Sequence, residues 1–456
     1  MKKILIIATA LLSISAFAQK GGLDEATLSE IRKGYEGTSA DKALRNAMNA
    51  APLAVLAHNF ERAAMIDTHF SDEIKTKGRT DQKSSGRCWL FTGLNILRES
   101  TIERFNLGAF KFSQNYCFFY DQLEKANLFL QAVIDTRDKS FDDRTVDWLF
   151  AHPISDGGTF TGVADIISKY GVVPAEIFPE SLSATSTSAY RGQLATLLRQ
   201  DGLALRDAPK KADLQKMKVE MLKEIYRVLA LTLGEPPTEF EWTCRDAKGK
   251  VISTKTYTPL SFYEEFVGFD LQNNYIMLMN DPAREYGKVY EIEYDRHSYD
   301  GHNWLYINLP LDDIKKMAIA SIKGGDPMYF SCDVGKFLDR KRGICDLKNF
   351  DYESLLGVKY TMDKKQRILT HASASTHAMT LIAVDLKDGV PQKWMVENSW
   401  GDTGYKGSII MTDEWFDEYM FRLVVEKKYV PAEIQALLKQ KPTMLPAWDP
   451  MFLPEE

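Results

Sequence analysis

The order in which helical and strand patterns follow one another along the chain constrains the fold most strongly. Apolar residues recur at helical spacing through the first half of the chain. These segments are residues 28–60, 88–102, 116–135, 162–170 and 211–234. Strand patterns occur in a mixed central region and dominate the last third, where turns rich in Gly and Asp separate them. They cover residues 275–279, 289–294, 379–384, 393–396, 408–411 and 422–425. Helices first and a sheet last predict an α+β fold.

The length and composition of the chain predict a large folded protein with no affinity for polyanions. The 456 residues are 45% hydrophobic and 26% charged, which suffices for two or three structural units with sizeable cores. The formal net charge is -6. A mildly acidic chain has no electrostatic reason to bind nucleic acid or an anionic membrane surface, so we expect neither as a partner.

The N-terminus predicts an export signal. Two lysines give a basic start, residues 4–14 form an apolar run, and small residues follow at Ala16 and Ala18. A membrane anchor is the alternative interpretation, but the run is too short to span a hydrocarbon core of ~30 Å. We therefore expect residues 1–18 to be removed before Gln19, and the mature protein to be exported to the periplasm without a membrane anchor.

The cysteine pattern argues against two structural classes. The count of five is odd and no CxxC pair is present, so neither a disulfide framework nor a zinc cage is expected. HExxH, Walker and dinucleotide-binding patterns are also missing from the sequence, so we expect no metal and no cofactor. Cys117, Cys332 and Cys345 lie among apolar neighbours and are expected to be buried.

Cys88 has two interpretations at this stage, because it follows Ser-Gly-Arg and begins an apolar helical run. It is either a buried thiol in a core helix or a nucleophile at a helix N-terminus. The N–H groups and the dipole at a helix N-terminus stabilise a thiolate, which favours the second interpretation. Gly86 would allow a close approach at the helix start. The amide of Gln82, six residues before Cys88, could act with the Cys88 N–H as a pair of oxyanion donors.

A histidine and an asparagine near the C-terminal strands are candidates to assist the thiol. His377 stands directly before one predicted strand, and Asn398 stands 21 residues later at the end of the next strand. Two neighbouring antiparallel strands would place the two side chains together, with the amide orienting the imidazole. Most chains of this length contain such a trio with Cys, so spacing alone does not establish the site. For His152, His302 and His371 a structural or surface role is the simpler interpretation.

Motifs around these candidates resemble the active-site motifs of papain-like cysteine peptidases. The matching residues, in the same order as in that family, are Gln82, Cys88-Trp89, His377-Ala378-Met379 and Asn398-Ser399-Trp400-Gly401. Ser85 stands where secreted papain-like enzymes have a disulfide cysteine, which fits the bleomycin hydrolase and aminopeptidase C branch. Further segments resemble that branch, and the resemblance covers nearly all of the chain after residue 18. They are QKSSGRCWLF (82–91), FSQNYCFF (112–119), DGG (156–158), FSCDVGK (330–336) and LPAWDPM (445–451).

The resemblance implies a papain-like two-lobed fold, in which a helical lobe faces a β-barrel-like lobe. His377 follows Cys88 by 289 residues, whereas the spacing in papain-type enzymes is ~130–150, so a large helical or mixed insertion is implied. The expected divisions are a signal peptide at 1–18, an N-terminal segment and helical lobe with the nucleophile at 19–181, an insertion with oligomerisation parts at 182–344, a β lobe at 345–430 and a C-terminal arm at 431–456.

The resemblance also implies four catalytic roles. Cys88 would be the nucleophile, and His377 would be its general base and acid. Asn398 would orient His377, and Gln82 would complete the oxyanion hole. The implied reaction is acyl transfer, in which the thiolate attacks the peptide carbonyl, a thioester acyl-enzyme forms, and water hydrolyses it.

The same resemblance implies that a second group of residues contacts the substrate or protects the site. Gly157 and Gly158 would form the cleft wall that pairs with the substrate backbone, and Trp400 would shield the His–Asn contact from water. In the family the C-terminal arm lies in the cleft, where its terminal carboxylate meets the free amine of the substrate. Glu456 would take that place here, although the final residues are bulkier and more acidic than is usual in the family.

The composition of residues 441–456 limits the conformation of the arm. Four prolines exclude a helix or a central strand, and the Leu, Trp, Met and Phe residues make a free tail unfavourable. An extended arm lying in a groove and a strap packed on the surface of its own domain fit the composition equally well.

The function implied by the resemblance is that of a cysteine aminopeptidase, which acts on peptides, and on related amides, from free N-termini. Members of the family form hexameric rings whose inner channel limits access to the active sites, and we expect such a homo-oligomer. Two alternatives stay open: an endopeptidase of the same fold with a retracted arm, and a catalytically silent oligomeric scaffold. The complete set of Gln82, Cys88, His377 and Asn398 argues against the scaffold, because such a set has little structural use.

Overall fold

The computed structural model describes residues 21–63 and 65–452. The signal peptide expected at residues 1–18 and the expected substrate contact Glu456 lie outside the described residues. Contacts within the chain divide it into two compact units. The smaller unit contains the described residues up to His58 together with Asp351–Val358, and the larger unit contains Asn59–Phe350 and the described residues from Lys359 onward.

Helices make up most of the first half of the chain. They are α1 Glu25–Lys33, α2 Ser39–Met48, α3 Leu53–Leu56, α4 Phe60–Ala63, α5 Cys88–Phe105, α6 Gln114–Asp135, α7 Arg144–Ala151, α8 Phe160–Tyr170, α9 Leu182–Thr185, α10 Ser188–Asp207, α11 Leu214–Leu233, α12 Pro259–Phe266, α13 Leu271–Asn274, α14 Leu311–Gly324, α15 Tyr352–Leu356, α16 Lys364–Leu369, α17 Asp413–Tyr419 and α18 Ala432–Gln435, with 3-10 turns at Lys427–Tyr429 and Ala436–Lys439. Within the described part of the chain, none of these helices has both the length and the apolar character needed to span a bilayer.

Strands are concentrated in the second half of the chain. They are β1 Asp72–Glu73, β2 Phe240–Arg245, β3 Val251–Tyr257, β4 Tyr275–Met279, β5 Lys288–Ile292, β6 Leu305–Asn308, β7 Met328–Cys332, β8 Leu338–Asp339, β9 Ile344–Cys345, β10 His377–Lys387, β11 Val390–Glu397, β12 Ser408–Thr412, β13 Met420–Glu426 and β14 Thr443–Leu445. One sheet has the order β14-β5-β6-β4-β13-β7-β10-β11-β12-β9-β8, with β1 joined to β10, while β2 and β3 form a separate hairpin. The α+β prediction is therefore confirmed.

The smaller unit is built of short helices rather than one long helical segment. The helical pattern predicted over residues 28–60 is interrupted between α1 and α2 and again before α3. Gly37 takes a positive φ of 65° in the first interruption, and Pro52 is the N-cap residue of α3 in the second. Neither α1 nor α2 has a buried residue, so this unit has little core of its own.

Helix α5 occupies a central place in the larger unit. Predicted over residues 88–102, it runs from Cys88 to Phe105, and nearly all residues of its first three turns are buried. It packs against β10 on one side and against α6 and α8 on others. Asn106 ends the helix in a left-handed conformation with φ of 48°. The first residue of this buried helix is therefore held rigidly relative to the sheet.

Strands β10 and β11 form an antiparallel hairpin that carries two predicted site residues. The turn between them contains Asp388 and Gly389, both with positive φ, which suits the right-handed twist of a two-residue hairpin. Thr380 pairs with Glu397 in the register. His377 begins β10 and Asn398 follows β11, so the prediction that neighbouring antiparallel strands bring them together is confirmed.

Candidate active site

The N-terminus of α5 holds Cys88 in a fully buried position. Cys88 is the first residue of the helix, and the N-cap residue Arg87 makes no side-chain cap. The Arg87 guanidinium bonds to the two carboxylate oxygens of Glu180 at 3.1 and 2.7 Å. Oδ2 of Asp156 accepts a hydrogen bond from the Gly86 N–H at 2.8 Å. A Cβ on Gly86 would lie 2.8 Å from the other Asp156 oxygen, so the predicted close approach at Gly86 is confirmed.

A direct contact joins the predicted nucleophile to the sheet. Sγ of Cys88 accepts a hydrogen bond from the Ala378 N–H, with 3.5 Å between nitrogen and sulfur. Ala378 directly follows His377 in β10. The thiol therefore lies at the start of the strand that carries the imidazole, although the two contacting residues are 290 positions apart in the sequence.

The hydrogen bond between His377 and Asn398 defines the tautomer of the imidazole. Nε2 of His377 lies 2.8 Å from Oδ1 of Asn398. The same oxygen accepts the Ser399 N–H at 2.8 Å, and because a backbone N–H can only donate, the atom in this position is an oxygen. Nε2 is then the protonated nitrogen and Nδ1 the basic one. This is the arrangement needed for an amide that orients a general base.

Trp400 packs over the His–Asn pair. Its ring centroid lies 4.9 Å from that of His377, at an interplanar angle of 34°. The Arg340 guanidinium lies 4.3 Å from the Trp400 ring centroid. The indole therefore covers the imidazole, a position that fits the predicted shielding of its hydrogen bond from water.

The side chain of Gln82 is buried and fixed at both ends. Its Oε1 accepts a hydrogen bond from the Ser399 hydroxyl at 2.6 Å, and its Nε2 donates to the Ser85 carbonyl at 2.5 Å. Its backbone N–H donates to the Ser399 carbonyl at 2.8 Å. The structure thus connects the loop before Cys88 with the residue that follows Asn398.

Gly157 and Gly158 lie next to Trp89, the residue that follows Cys88. The Trp89 indole N–H donates to the Asp156 carbonyl at 2.9 Å. A Cβ on Gly158 would lie 2.9 Å from the Trp89 ring. The Gly157 carbonyl accepts a hydrogen bond from Nζ of Lys125 at 2.6 Å. We call the segment Gly157–Thr159 the wall segment below, after its predicted role in the cleft.

A cavity of about 140 Å³ opens beside the wall segment. Gly157 and Gly158 line it together with Phe452 of the C-terminal arm. Other lining residues are apolar side chains of α6 and α7, namely Leu128, Phe129, Trp148 and Leu149. The cavity is therefore suited to hold apolar groups close to the predicted substrate path.

Residues 441–452 of the arm lie on the larger unit. Strand β14 adds to the edge of the sheet in parallel with β5, as a strap would. Met451 is fully buried, and its carbonyl accepts a hydrogen bond from the buried Arg422 guanidinium. The Phe452 ring centroid then lies 5.4 Å from that of Trp148. The arm is thus packed on the larger unit and leads to the cavity beside Gly157.

A buried ion pair near the site was not predicted from the sequence. Arg98 of α5 donates to Glu397 at 2.7 Å, to Glu99 at 2.8 Å and to Asn95 at 2.8 Å. Glu397 is the last residue of β11 and directly precedes Asn398. Two features of the sequence could have indicated this pair. Arg98 is a charged residue within an apolar helical pattern, and Glu397 is a charged residue at the end of an apolar strand pattern.

The remaining cysteines and histidines differ from the site residues. All five cysteines are buried, so the predicted burial of Cys117, Cys332 and Cys345 is confirmed. Burial raises the pKa of the Cys117 and Cys345 thiols, which makes them poor nucleophiles at neutral pH. His152 and His371 are exposed. Among the residues that the structure describes, no group of three or more His, Cys, Asp or Glu side chains is arranged to hold a metal ion.

Comparisons with known proteins identify relatives along almost the whole chain. Residues 22–452 match the model of the peptidase C1-like family. Bleomycin hydrolase of Mus musculus is 40% identical over 447 residues, which cover 91% of this chain and 98% of that protein. Aminopeptidase C of Lactobacillus delbrueckii subsp. lactis is 39% identical over 396 residues, covering 85% of this chain and 88% of that protein. The crystal structure of PepW from Lactobacillus rhamnosis superposes with a TM-score of 0.91 at 37% identity, covering 95% of this chain and 99% of that chain.

Proposed function

The chain belongs to the peptidase C1-like family, and from this premise we infer that it is a cysteine aminopeptidase that hydrolyses peptides. The family resemblance seen in the sequence motifs is thereby confirmed. The observation that carries the inference is the contact of 3.5 Å between the Cys88 thiol and the N–H that follows His377, whose ring is bonded to Asn398. Relatives named aminopeptidase C and aminopeptidase G support action at the N-terminus.

Cys88 is the proposed nucleophile. The N-terminus of α5 and a protonated His377 stabilise its thiolate, because helix N–H groups and an imidazolium both interact favourably with negative charge. The sulfur attacks the carbonyl carbon of the substrate, and an electron pair moves to the carbonyl oxygen. The second N–H of the Gln82 amide and the Cys88 N–H donate to that oxyanion.

His377 is the proposed proton carrier in both half-reactions. Its imidazolium gives a proton to the leaving amine as the C–N bond breaks, which leaves a thioester between Cys88 and the acyl group. The neutral ring then removes a proton from water while the water oxygen attacks the thioester carbon. The sulfur leaves as the thiolate beside the imidazolium, so the starting pair is restored. Asn398 keeps the ring in orientation, and Trp400 keeps water from their hydrogen bond.

The C-terminal arm is proposed to restrict cleavage to free N-termini. Its last described residue, Phe452, lines the cavity beside Gly157 and Gly158, which supports a path of the arm into the cleft. Glu455 and Glu456 follow, and with the terminal carboxylate they would attract a protonated amine. A peptide with an acetylated N-terminus lacks that charge, and the arm would block its binding in the cleft.

The surface of the smaller unit supports the proposed homo-oligomer, a ring of six copies. Large apolar side chains are exposed on and beside α1, α2 and α3. They are Leu23, Ile31, Tyr35, Leu44, Leu53 and Val55. Large apolar side chains left exposed on one copy of the chain can be covered by another copy, which supports the proposal. Light scattering of the mature chain in solution is expected to give the mass of six copies, whereas a monomer would contradict this proposal.

Export after removal of residues 1–18 is likewise proposed. The basic start, the apolar run and Ala18 at the cleavage position support it. Protein isolated from the periplasmic fraction is expected to begin at Gln19. A chain that begins at Met1 and stays in the cytoplasm would contradict it.

The reactivity of Cys88 tests its proposed role directly. Alkylation by iodoacetamide, followed site by site with mass spectrometry, is expected to modify Cys88 well below pH 7, because a thiolate is present there. In His377→Ala, which keeps the helix N-terminus but lacks the imidazolium, the reactivity should rise only at a higher pH than in the wild type. Cys345 is an internal control, since burial raises its pKa and it should stay unmodified. Identical profiles in both proteins would contradict an ion pair of Cys88 with His377.

A further inference from the structure

A buried polar cluster lies behind the wall segment and takes no part in the proposed steps. At its centre is His297, which is 2% exposed. Its Nδ1 lies 2.5 Å from Oδ1 of Asp121, a fully buried residue of α6. Its Nε2 accepts a hydrogen bond from the Thr159 N–H at 3.3 Å. One imidazole therefore connects a helix carboxylate with the backbone of the wall segment.

Two glycines make room for this imidazole. A Cβ on Gly158 would lie 2.1 Å from Cε1 of His297, and a Cβ on Gly162 would lie 2.3 Å from the same atom. On another side the ring contacts Trp89, with 4.5 Å between the ring centroids. Any side chain at position 158 would displace the imidazole or the wall. His297 is therefore packed between the wall segment and the residue that follows the nucleophile.

The partners of Asp121 fix the tautomer of His297. Oδ2 of Asp121 accepts hydrogen bonds from Lys125 and Gln122, each at 3.0 Å. Burial acts to raise the pKa of Asp121, but the charge of Lys125 and the bond from His297 outweigh it and lower that pKa. The ionised carboxylate accepts from the Nδ1–H, which leaves Nε2 as an acceptor for Thr159. Lys125 also holds the Gly157 carbonyl, so the cluster contacts both ends of the wall segment.

We propose that His297 is a positioning residue, which together with Asp121 holds the backbone of Gly157–Thr159 where it pairs with the substrate. The inference rests on the proposed function, since the wall binds a peptide only in a peptidase. Without an acceptor at Nε2, the buried Thr159 N–H loses its partner and the wall segment can move relative to Trp89. Substrate binding should suffer more than the chemical step, because Cys88 and His377 keep their own contacts.

Protonation of His297 would break the hydrogen bond that its Nε2 accepts from the Thr159 N–H. Burial, and next the charge of Lys125, lower the pKa of His297, so the ring is neutral at neutral pH. Below that pKa both ring nitrogens are donors, and Nε2–H opposes the Thr159 N–H. The charged groups that face or adjoin the ring are Asp121 and Lys125 from α6, Asp165 from α8, and Asp295 and Arg296 from its own segment. The wild-type KM should therefore rise on acidification.

Two substitutions separate positioning from simple packing. His297→Asn can still donate to Asp121 but is too short to reach Thr159, whereas His297→Gln can present an oxygen near the place of Nε2. The matched control is His302→Asn, the same change at an exposed histidine of the same segment. With a free-N-terminus peptide substrate, we expect His297→Asn to raise KM about tenfold with kcat nearly unchanged. His297→Gln should recover most of the affinity and should lose the rise of KM at acid pH.

Amide hydrogen exchange tests the positioning itself, without any substrate. The Thr159 N–H should be protected in the wild type and in His302→Asn, and should exchange about tenfold faster in His297→Asn. Equal protection of Thr159, or an unchanged KM in His297→Asn at an unchanged Tm, would overturn the inference. If His297→Asn does not fold, Asp121→Asn replaces it, since its neutral amide lacks the negative charge that keeps the proton on Nδ1. Absence of Cys88-dependent hydrolysis by the wild type would refute the proposed function instead, while the exchange result would still decide whether His297 holds the wall.

Discussion

Among individual residues, Gln82 shows how hydrogen bonds hold a proposed oxyanion donor in one orientation. The Ser85 carbonyl can only accept, so the amide atom that faces it at 2.5 Å is Nε2. The Ser399 hydroxyl then donates to Oε1 at 2.6 Å. One N–H of Nε2 is used in this way, and the second is the proposed donor to the negative charge that develops on the substrate carbonyl oxygen. The Ser399 hydroxyl is therefore proposed to act on the reaction through Gln82, whose amide it orients.

This arrangement predicts an order of effects for two substitutions. Gln82→Ala removes the donor itself and is expected to lower kcat about a hundredfold. Ser399→Ala removes only the group that orients the amide, and about a tenfold loss is expected because one neutral hydrogen bond is lost. Steady-state kinetics on one peptide substrate measures both. A smaller loss in Gln82→Ala than in Ser399→Ala would show that Gln82 does not stabilise the oxyanion.

Between secondary-structure elements, the Arg98–Glu397 ion pair joins the helix of the proposed nucleophile to the strand that precedes Asn398. Both side chains are almost fully buried, at 1% and 2% exposed. Burying two charges costs free energy that their attraction must offset, so such a pair specifies a position more than it adds stability. The pair thus contributes to the alignment of α5, which begins at Cys88, with β11, which Asn398 follows.

A double-mutant cycle tests this link. Arg98→Met is expected to lower the free energy of unfolding by about 3–5 kcal/mol, because it leaves Glu397 charged and buried. Adding Glu397→Gln should restore part of that loss, since the uncompensated charge is removed. Urea denaturation measures all four proteins of the cycle. Strictly additive losses would show that the two side chains do not stabilise each other.

A buried carboxylate lies between α10 and α11, and the free-energy cost of its negative charge depends on pH. Asp201 of α10 is buried, and within the described residues its Oδ2 has no hydrogen-bond partner. Burial, and next the charge of Glu224 on α11, raise the pKa of Asp201 to about 6. Because the pKa of Asp201 is higher in the folded than in the unfolded protein, its protonation stabilises the fold. This stabilisation is complete below the unfolded pKa of ~3.9 and is lost as the pH rises through about 6, the pKa in the folded protein.

Asp201→Asn should therefore stabilise the protein at neutral and alkaline pH. We expect Tm to rise by about 2–4 °C at pH 8, because the variant has no charge to bury. At pH 4 the difference should vanish, since wild-type Asp201 is protonated there in the folded state. Thermal unfolding at both values of pH measures the effect. An equal shift at pH 4 and pH 8 would contradict a titrating Asp201.

Across the whole molecule, sequence patterns predicted elements where the apolar repeat is regular. The strand expected at 275–279 is Tyr275–Met279, and the helix expected to begin at Cys88 does begin there. Helix α10, at Ser188–Asp207, was not predicted. Its buried face includes Asp201 and Gly202, which interrupt the apolar repeat on which such predictions depend.

The candidate site was predictable only in part. His377 and Asn398 belong to one hairpin, so local strand patterns were sufficient to place them together. Cys88 meets Ala378 across 290 positions, and no local pattern encodes that contact. The family motifs supplied the connection instead. His297 was one histidine among several, and no pattern in the sequence distinguished it.

The arm is expected to control which peptides enter the cleft. Deleting residues 452–456 should leave the fold intact, because β14 and the buried Met451 remain as anchors. Cleavage of an N-acetylated peptide, relative to the free peptide, should rise at least about tenfold, since the proposed obstacle is gone. Met444→Ala, a change at an exposed residue of β14, is the control and should leave the ratio unchanged. An unchanged ratio after the deletion would favour an endopeptidase whose arm plays no part.

Hydrolysis of paired fluorogenic peptides, one with a free N-terminus and one N-acetylated, tests the central claim most directly. Wild type and Cys88→Ala would be compared on both peptides. Cleavage of the free peptide alone, abolished in Cys88→Ala, is the expected result for a cysteine aminopeptidase. Equal cleavage of both peptides would contradict N-terminal specificity, and the absence of any Cys88-dependent cleavage would contradict the peptidase assignment itself.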